Sequence, residues 1–257
     1  MKRKRKLKYG FLFTVILLFV FLGLFLFSSY KIICYLIDRE ENHKIKEKME
    51  ESVVVTIDEE NKGKKTYTID FETLKKDNPD TVAYLEVTGT NINYIVVQGN
   101  DNDYYLNHNF NKKWNVAGWI FVDYHNRLDG TDQNIVVYGH AIQDGSMFGS
   151  LKKTLDKEWQ ENANNHELVF ITEQESATYQ VFSTYMIDPE MYYINTTFAS
   201  EEDYWNFLKK LQERSNFDYK VSLDSKDTIL TLSSCNATGS KRVVLHAKKM
   251  INNIENN

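Results

Sequence analysis

The sequence predicts an α+β protein, a β core of eight strands with peripheral helices, preceded by a single N-terminal transmembrane helix. Three observations carry this prediction. Residues 9–30 contain no charge and are mostly Phe, Leu, Val and Ile. Eight short runs rich in β-branched and aromatic residues follow: VAYLEV, NYIVVQ, GWIFVDY, NIVVYG, ELVFIT, TYQVFSTYMI, TILTLSS and RVVLHAKK. Amphipathic stretches of helical period sit before and between these runs.

The N-terminus fixes the topology. Six of the first eight residues are basic, so residues 1–8 are expected to stay cytoplasmic and the C-terminal part to face outward. The uncharged run of 22 residues reaches roughly 33 Å as a helix, enough for a hydrocarbon core of about 30 Å. A cleavable signal peptide fits less well. The apolar run exceeds the usual signal core, and no small-x-small cleavage pattern follows it. The expectation is a retained signal anchor over residues 9–37, then a charged helical and linker segment over residues 38–65, with ENKGKK as a solvated connection. Residues 66–257 form one extracellular unit large enough for a single core.

Charge and cysteine content narrow the function. The formal net charge is −5; without the six N-terminal cations the remainder carries about −11, a poor surface for nucleic acid. Cys34 and Cys235 are the two cysteines. One lies at the membrane edge and the other about 200 residues on, so no disulfide scaffold is expected. Cys235 reads as a free thiol on an exported domain.

Along the unit, FETLKKDN predicts a helix before the first strand and MFGSLKKTL another after the fourth. EEDYWNFLKKLQERSN, before the seventh, places Tyr204, Phe207, Leu208 and Leu211 on one face at i, i+3, i+4, i+7. Short connections between many short strands suit a β-barrel or a sandwich equally.

A thiol becomes a strong nucleophile when a nearby positive charge stabilises its thiolate. Arg242 opens the strand after Cys235, across the NATGSK turn. The base must come from a histidine. His140 is favoured, just past the end of NIVVYG and beside Gly139. His43 lies beside the membrane segment; His108 and His166 sit among Asn residues in solvated loops or helix ends. His125 is a turn residue, and His246 falls inside the last strand. Ser233 and Ser234 suit turn hydrogen bonds. Asp101, Asp103 and Asp144 read as solvated loop carboxylates without an EF-hand pattern. No metal or cofactor is expected.

These residues carry a resemblance. TLSSC followed by an arginine opening the next strand is similar to the sortase signature TLxTC with its downstream Arg, and NIVVYGH matches the position of the sortase histidine. IVVQGNDNDYYL and GWIFVDY are also similar to sortase segments. Ser234 stands where Thr is usual, which keeps a hydroxyl. The helical lead-in, the YYL segment and EEDYWNFLKKLQERSN resemble class B sortases.

The resemblance implies an eight-stranded sortase-like barrel and a membrane-anchored cysteine transpeptidase. Cys235 would be the nucleophile, His140 the general acid and base, and Arg242 the oxyanion-stabilising or substrate-orienting group. The implied partners are exported proteins with a C-terminal sorting signal, cleaved at a Thr–Gly or Thr–Asn bond, and an amine of a peptidoglycan precursor or stem peptide. The rival readings are an exported cysteine peptidase, an L,D-transpeptidase and a non-catalytic peptide-binding module. L,D-transpeptidases place His and Gly close before cysteine in an SxGC-like setting, where this chain has SSCNA.

Overall fold

The computed structural model describes residues 9–58, 64–236 and 241–250, with Tyr9, Ile57, Asp58, Lys64, Cys235 and Asn236 described at the backbone alone. Helix α1 (Tyr9–Glu50) is long and apolar enough to cross a membrane, with a mean hydropathy of 2.8 over its most apolar 18-residue window. The chain divides into two compact units, residues 1–43 and 44–257. Within the second, the last turns of α1 bury Ile45 and Met49. Lys46 sits over the Tyr94 ring at 4.6 Å, and Lys48 pairs with Asp77 at 2.7 Å.

Residues 38–65, read from sequence as a helical linker, hold more structure than that. The helix continues to Glu50, and β1 (Val53–Asp58) pairs antiparallel with β2 (Lys64–Ile69). This hairpin meets the next strand through Lys65–Glu86 and Tyr67–Tyr84 contacts. The valines of SVVV fit an extended, half-exposed ribbon because β-branched side chains are stiff at χ1.

All eight predicted runs form strands: β3 (Thr81–Val87), β4 (Asn93–Val97), β5 (Phe121–Val122), β6 (Asn134–Ala141), β7 (Glu167–Thr172), β8 (Ser176–Ile187), β9 (Ile229–Asn236) and β10 (Arg242–Lys249). They close into a barrel in the order β10-β8-β7-β3-β4-β5-β6-β9. Most neighbours are antiparallel, while β4–β5 and β6–β9 are parallel. Closure removes the unpaired edges that an open sheet would expose.

Helix α2 (Phe71–Asp77) forms where FETLKKDN predicts it, capped by Asp70, whose carboxylate accepts from Thr73 N. MFGSLKKTL departs from expectation. Gly149–Leu155 is a 3-10 segment rather than an α-helix, and its chain approaches Ile142 so closely that a Cβ on Gly149 would lie 1.9 Å from the Ile142 carbonyl oxygen. A short α3 (Lys157–Glu161) follows.

Helix α4 (Glu201–Glu213) lies in the β8–β9 connection. Ser200 caps it, and Glu201, Glu202 and Asp203 fill its first turn, where negative charge suits the helix dipole. Its predicted apolar face is buried: Tyr204, Phe207, Leu208 and Leu211 pack with Phe182, Tyr185, Tyr193, Ile229 and Val244. The helix is therefore held by the strands that flank Cys235. Leu208→Ala is expected to lower the unfolding free energy by about 2–5 kcal/mol, the usual cost of a cavity at a fully buried leucine. A chemical denaturation curve checks this, and a loss below about 1 kcal/mol would contradict the packing.

Candidate active site

The parallel pairing of β6 with β9 brings the two halves of the site together. Its register sets Asn134 beside Ile229, Val136 beside Thr231, Tyr138 beside Ser233 and His140 beside Cys235. Register partners occupy the same face of a sheet. The antiparallel register of β9 with β10 sets Val244 beside Ser233 and His246 beside Thr231. Followed back along β10 to its first residue, it brings Arg242 level with Cys235. The three sequence-predicted residues thus meet at one end of three adjacent strands, and His140 shares its face with Tyr138 and Asn134.

That face is the outer one, covered by two connections. On the β6 side lie the β4–β5 connection, β5 and Asp123 just after it. His140 Nε2 is 2.8 Å from the Leu106 carbonyl oxygen, Tyr138 donates to Asp123 at 2.8 Å, and Tyr138 packs on Phe121. On the β9–β10 side lies the β8–β9 connection, with Tyr193 hydrogen-bonded to Ser233 and Asn134 donating to the Asn195 carbonyl at 2.9 Å. The His140 and Cys235 positions sit between the two walls.

The Leu106 carbonyl is held firmly. Tyr105, in the same 3-10 turn (Tyr104–Leu106), is fully buried. Its hydroxyl donates to Asp80 at 2.6 Å and accepts from Asn78 at 3.0 Å. Burial and the Asp80 hydrogen bond push that hydroxyl's pKa well above the usual tyrosine range. Gly118, at φ +59°, passes so close that a Cβ would stand 2.4 Å from the Tyr105 carbonyl oxygen and 2.7 Å from that of Leu106. Only glycine fits there.

A carbonyl oxygen only accepts, so His140 Nε2 carries a proton and donates to Leu106. In the neutral ring this leaves Nδ1 as a lone-pair nitrogen. It is buried and has no hydrogen-bond partner among the described residues.

His140 differs from its reading in one respect: it lies within β6, not beyond its end. Gly139 supplies space rather than freedom, since a Cβ there would meet the Phe148 ring at 2.9 Å. Ser233 and Ser234 likewise lie in β9 rather than in a turn. Ser234 Oγ accepts from Val243 N at 2.9 Å.

Residues 85–250 match the family model of the sortase domain. The chain belongs to the sortase family. Among its relatives, the sortase B of Listeria monocytogenes is 36% identical over 84% of this chain and 87% of that protein. The sortase B of Staphylococcus aureus is 31% identical over 96% and 98%. Among solved structures, Bacillus anthracis sortase B in complex with AAEK1 superposes with a TM-score of 0.72 at 34% identity, covering 84% of this chain and 99% of that one. A Staphylococcus aureus sortase B–substrate complex gives 0.66 at 34% identity, covering 70% and 84%. This is a class B sortase, and sortases are transpeptidases.

Four of the other histidines of this sortase have partners of their own. His246 is fully buried, with Nδ1 2.9 Å from Thr231 Oγ1 and Nε2 2.8 Å from the Tyr185 hydroxyl. Burial, with the nearby Arg214 charge, pushes its pKa down to about 3, so the ring is neutral. Thr231 donates its proton to Asn134 at 2.6 Å; His246 Nδ1 must then donate to Thr231, and Nε2 accept from Tyr185. His166, read as solvated, is instead buried. Its Nε2 bonds the Gln160 carbonyl at 2.8 Å, and Tyr219 packs edge-on at 4.8 Å. His108 is half-buried and stacks on Tyr104; His125 pairs with Asp123 at 2.8 Å.

The loop carboxylates serve the backbone. Asp101 accepts from Asp103 N and Tyr104 N, and these bonds hold its carboxyl below the usual range. Asp144 accepts from Ser146 N and Oγ. No group of three His, Cys, Asp or Glu suited to a metal occurs among the described residues.

A cavity of about 220 Å³, lined by Ala141, Phe148, Lys152, Ser234, Lys241 and Val243, opens at the same barrel end. Ala141, Ser234 and Val243 alternate with His140, Cys235 and Arg242, so this cavity lies on the reverse face of the sheet. Sequence reading missed two contributors to the site, the Leu106 carbonyl and the Tyr193 hydroxyl. Neither a main-chain oxygen in a loop nor a tyrosine in an aperiodic YYI segment leaves a sequence signal.

Proposed function

We propose that Cys235, His140 and Arg242 perform the transfer, with Cys235 as nucleophile. The single observation that carries this is the His140–Cys235 register pairing, with Arg242 opening the adjoining strand. The Cys235 sulfur attacks the carbonyl of the scissile Thr–Gly or Thr–Asn bond. A C–S bond forms and the C–N bond breaks, while imidazolium Nδ1–H of His140 delivers a proton to the departing amine. The thioester is then attacked by an acceptor amine. Nδ1 takes the amine's proton, a new C–N bond forms, and the thiolate leaves. Arg242 offers planar guanidinium donors to the developing oxyanion, an interaction whose loss costs about 100- to 1,000-fold in comparable sites.

The clients are exported proteins bearing a C-terminal sorting signal, and the acceptor is a peptidoglycan-linked amine. One relative is described as a sortase B–substrate complex and another as sortase B complexed with triglycine; both descriptions suit a protein that takes a peptide and an amine in turn. The apolar part of α1 anchors the enzyme in the cell membrane, residues 1–8 on the cytoplasmic side and residues 66–257 outside, following the basic N-terminal tail.

The test is product partition. Full-length protein is incubated with a peptide carrying an NPQTN- or SPKTG-type signal, with and without triglycine. The expected result is a new amide joining peptide and triglycine, formed at the expense of hydrolysis. Hydrolysis alone at saturating amine would support the peptidase reading instead, and binding without turnover the non-catalytic module.

A further inference from the structure

Arg242 is half-buried at the start of β10, and its Nη1 donates to the Tyr193 hydroxyl at 3.3 Å. That hydroxyl lies 3.0 Å from Ser233 Oγ. A guanidinium has no acceptor atom, so Tyr193 Oη accepts from Arg242 and can pass its own proton to Ser233. Ser233 is two residues before Cys235 on the same strand. The tyrosine oxygen therefore bridges the strand of the nucleophile and the side chain of the arginine.

Tyr193 is itself immobilised from several sides. It is fully buried among Phe182, Tyr185, Phe207 and Leu211. Asn134 Nδ2 bonds the Tyr193 carbonyl at 3.4 Å and the Asn195 carbonyl at 2.9 Å. Asn134 is fixed in turn by Thr231, and Thr231 by His246. This buried polar chain runs under the 3-10 turn Tyr192–Ile194 and ties it to β6, β9 and β10. Its members satisfy one another, which makes such a network rigid.

We infer that Tyr193 is a positioning residue for acyl transfer. Its hydroxyl pins the Arg242 guanidinium over the Cys235 position, so that donors already face the place where the oxyanion develops. A long arginine side chain left to sample its rotamers would have to be ordered in every catalytic cycle. A pinned one contributes preorganised donors. The inference rests on the proposed role of Arg242 and adds to it a group that touches neither substrate nor thiol chemistry.

The test is a double-mutant cycle on kcat and KM in the full-length protein, with an NPQTN- or SPKTG-type peptide. Tyr193→Phe removes one oxygen and keeps the ring. It is expected to lower kcat by about 10-fold while KM stays within about twofold, the pattern of an interaction made in the transition state alone. In the Arg242→Ala background the same change should have no further effect. Ser233→Ala, which frees the hydroxyl from its other side, should give a smaller loss in kcat that also vanishes in that background. It serves as the second probe if Tyr193→Phe does not fold.

Independent, multiplicative losses would overturn the positioning role, and so would full activity in a folded Tyr193→Phe. An Arg242→Ala protein with normal kcat would instead overturn the proposed role of the arginine itself, which separates the two failures.

Discussion

Cys235→Ala is expected to lower sorting-peptide turnover by at least about 1,000-fold while the domain stays folded. Removal of the nucleophile in enzymes that work through an acyl intermediate costs this much or more, because the remaining groups then have no covalent step to assist. The fold should tolerate the change. Cys235 is the penultimate residue of β9, and the barrel's leucines and valines, among them Leu230, Leu232 and Leu245, are buried independently of it. Peptide cleavage and thermal melting measured on the same preparation check both halves. A folded variant that retained more than about a tenth of the rate would remove Cys235 from the mechanism.

His140→Ala is expected to lower turnover by about 100- to 10,000-fold, the usual worth of general acid–base assistance. The hydrogen bond from Nε2 to the Leu106 carbonyl fixes the ring, and in the proposed mechanism Nδ1 exchanges the proton. His140→Gln should not rescue, since an amide can donate to Leu106 but cannot shuttle a proton at neutral pH. A rate within about tenfold of normal in His140→Ala would show that the proton is handled elsewhere.

Much of this was legible in the amino-acid sequence, and the reason is physical. Runs such as NIVVYG and RVVLHAKK each hold two or three consecutive β-branched residues, and each became a strand. The apolar face of α4 has the helical period, so Tyr204, Phe207, Leu208 and Leu211 could be named before their partners were known. GWIFVDY was too generously read: only Phe121–Val122 is strand, because Gly118 must bend under the Tyr105 and Leu106 carbonyls.

What sequence pattern could not supply is pairing between distant segments. Periodicity is local, whereas β6 and β9 meet across some ninety residues, and barrel and sandwich make the same local demands. His140 was favoured from its place at a strand end and then by family resemblance, but neither gave its pairing with β9; the parallel register sets it beside Cys235. His166 shows the opposite error. Its Asn-rich surroundings suggested solvent, yet Trp159, Phe217 and Tyr219, none of them adjacent in sequence, enclose it.

The covalent intermediate gives the most direct test of this mechanism. Full-length protein mixed with the sorting peptide and no acceptor amine, quenched in acid and digested, is analysed by mass spectrometry. The acyl mass of the peptide, less its leaving segment, should lie on the Cys235 fragment and be released by hydroxylamine. An adduct on any other residue, or turnover with no adduct under conditions that trap thioesters, would contradict it.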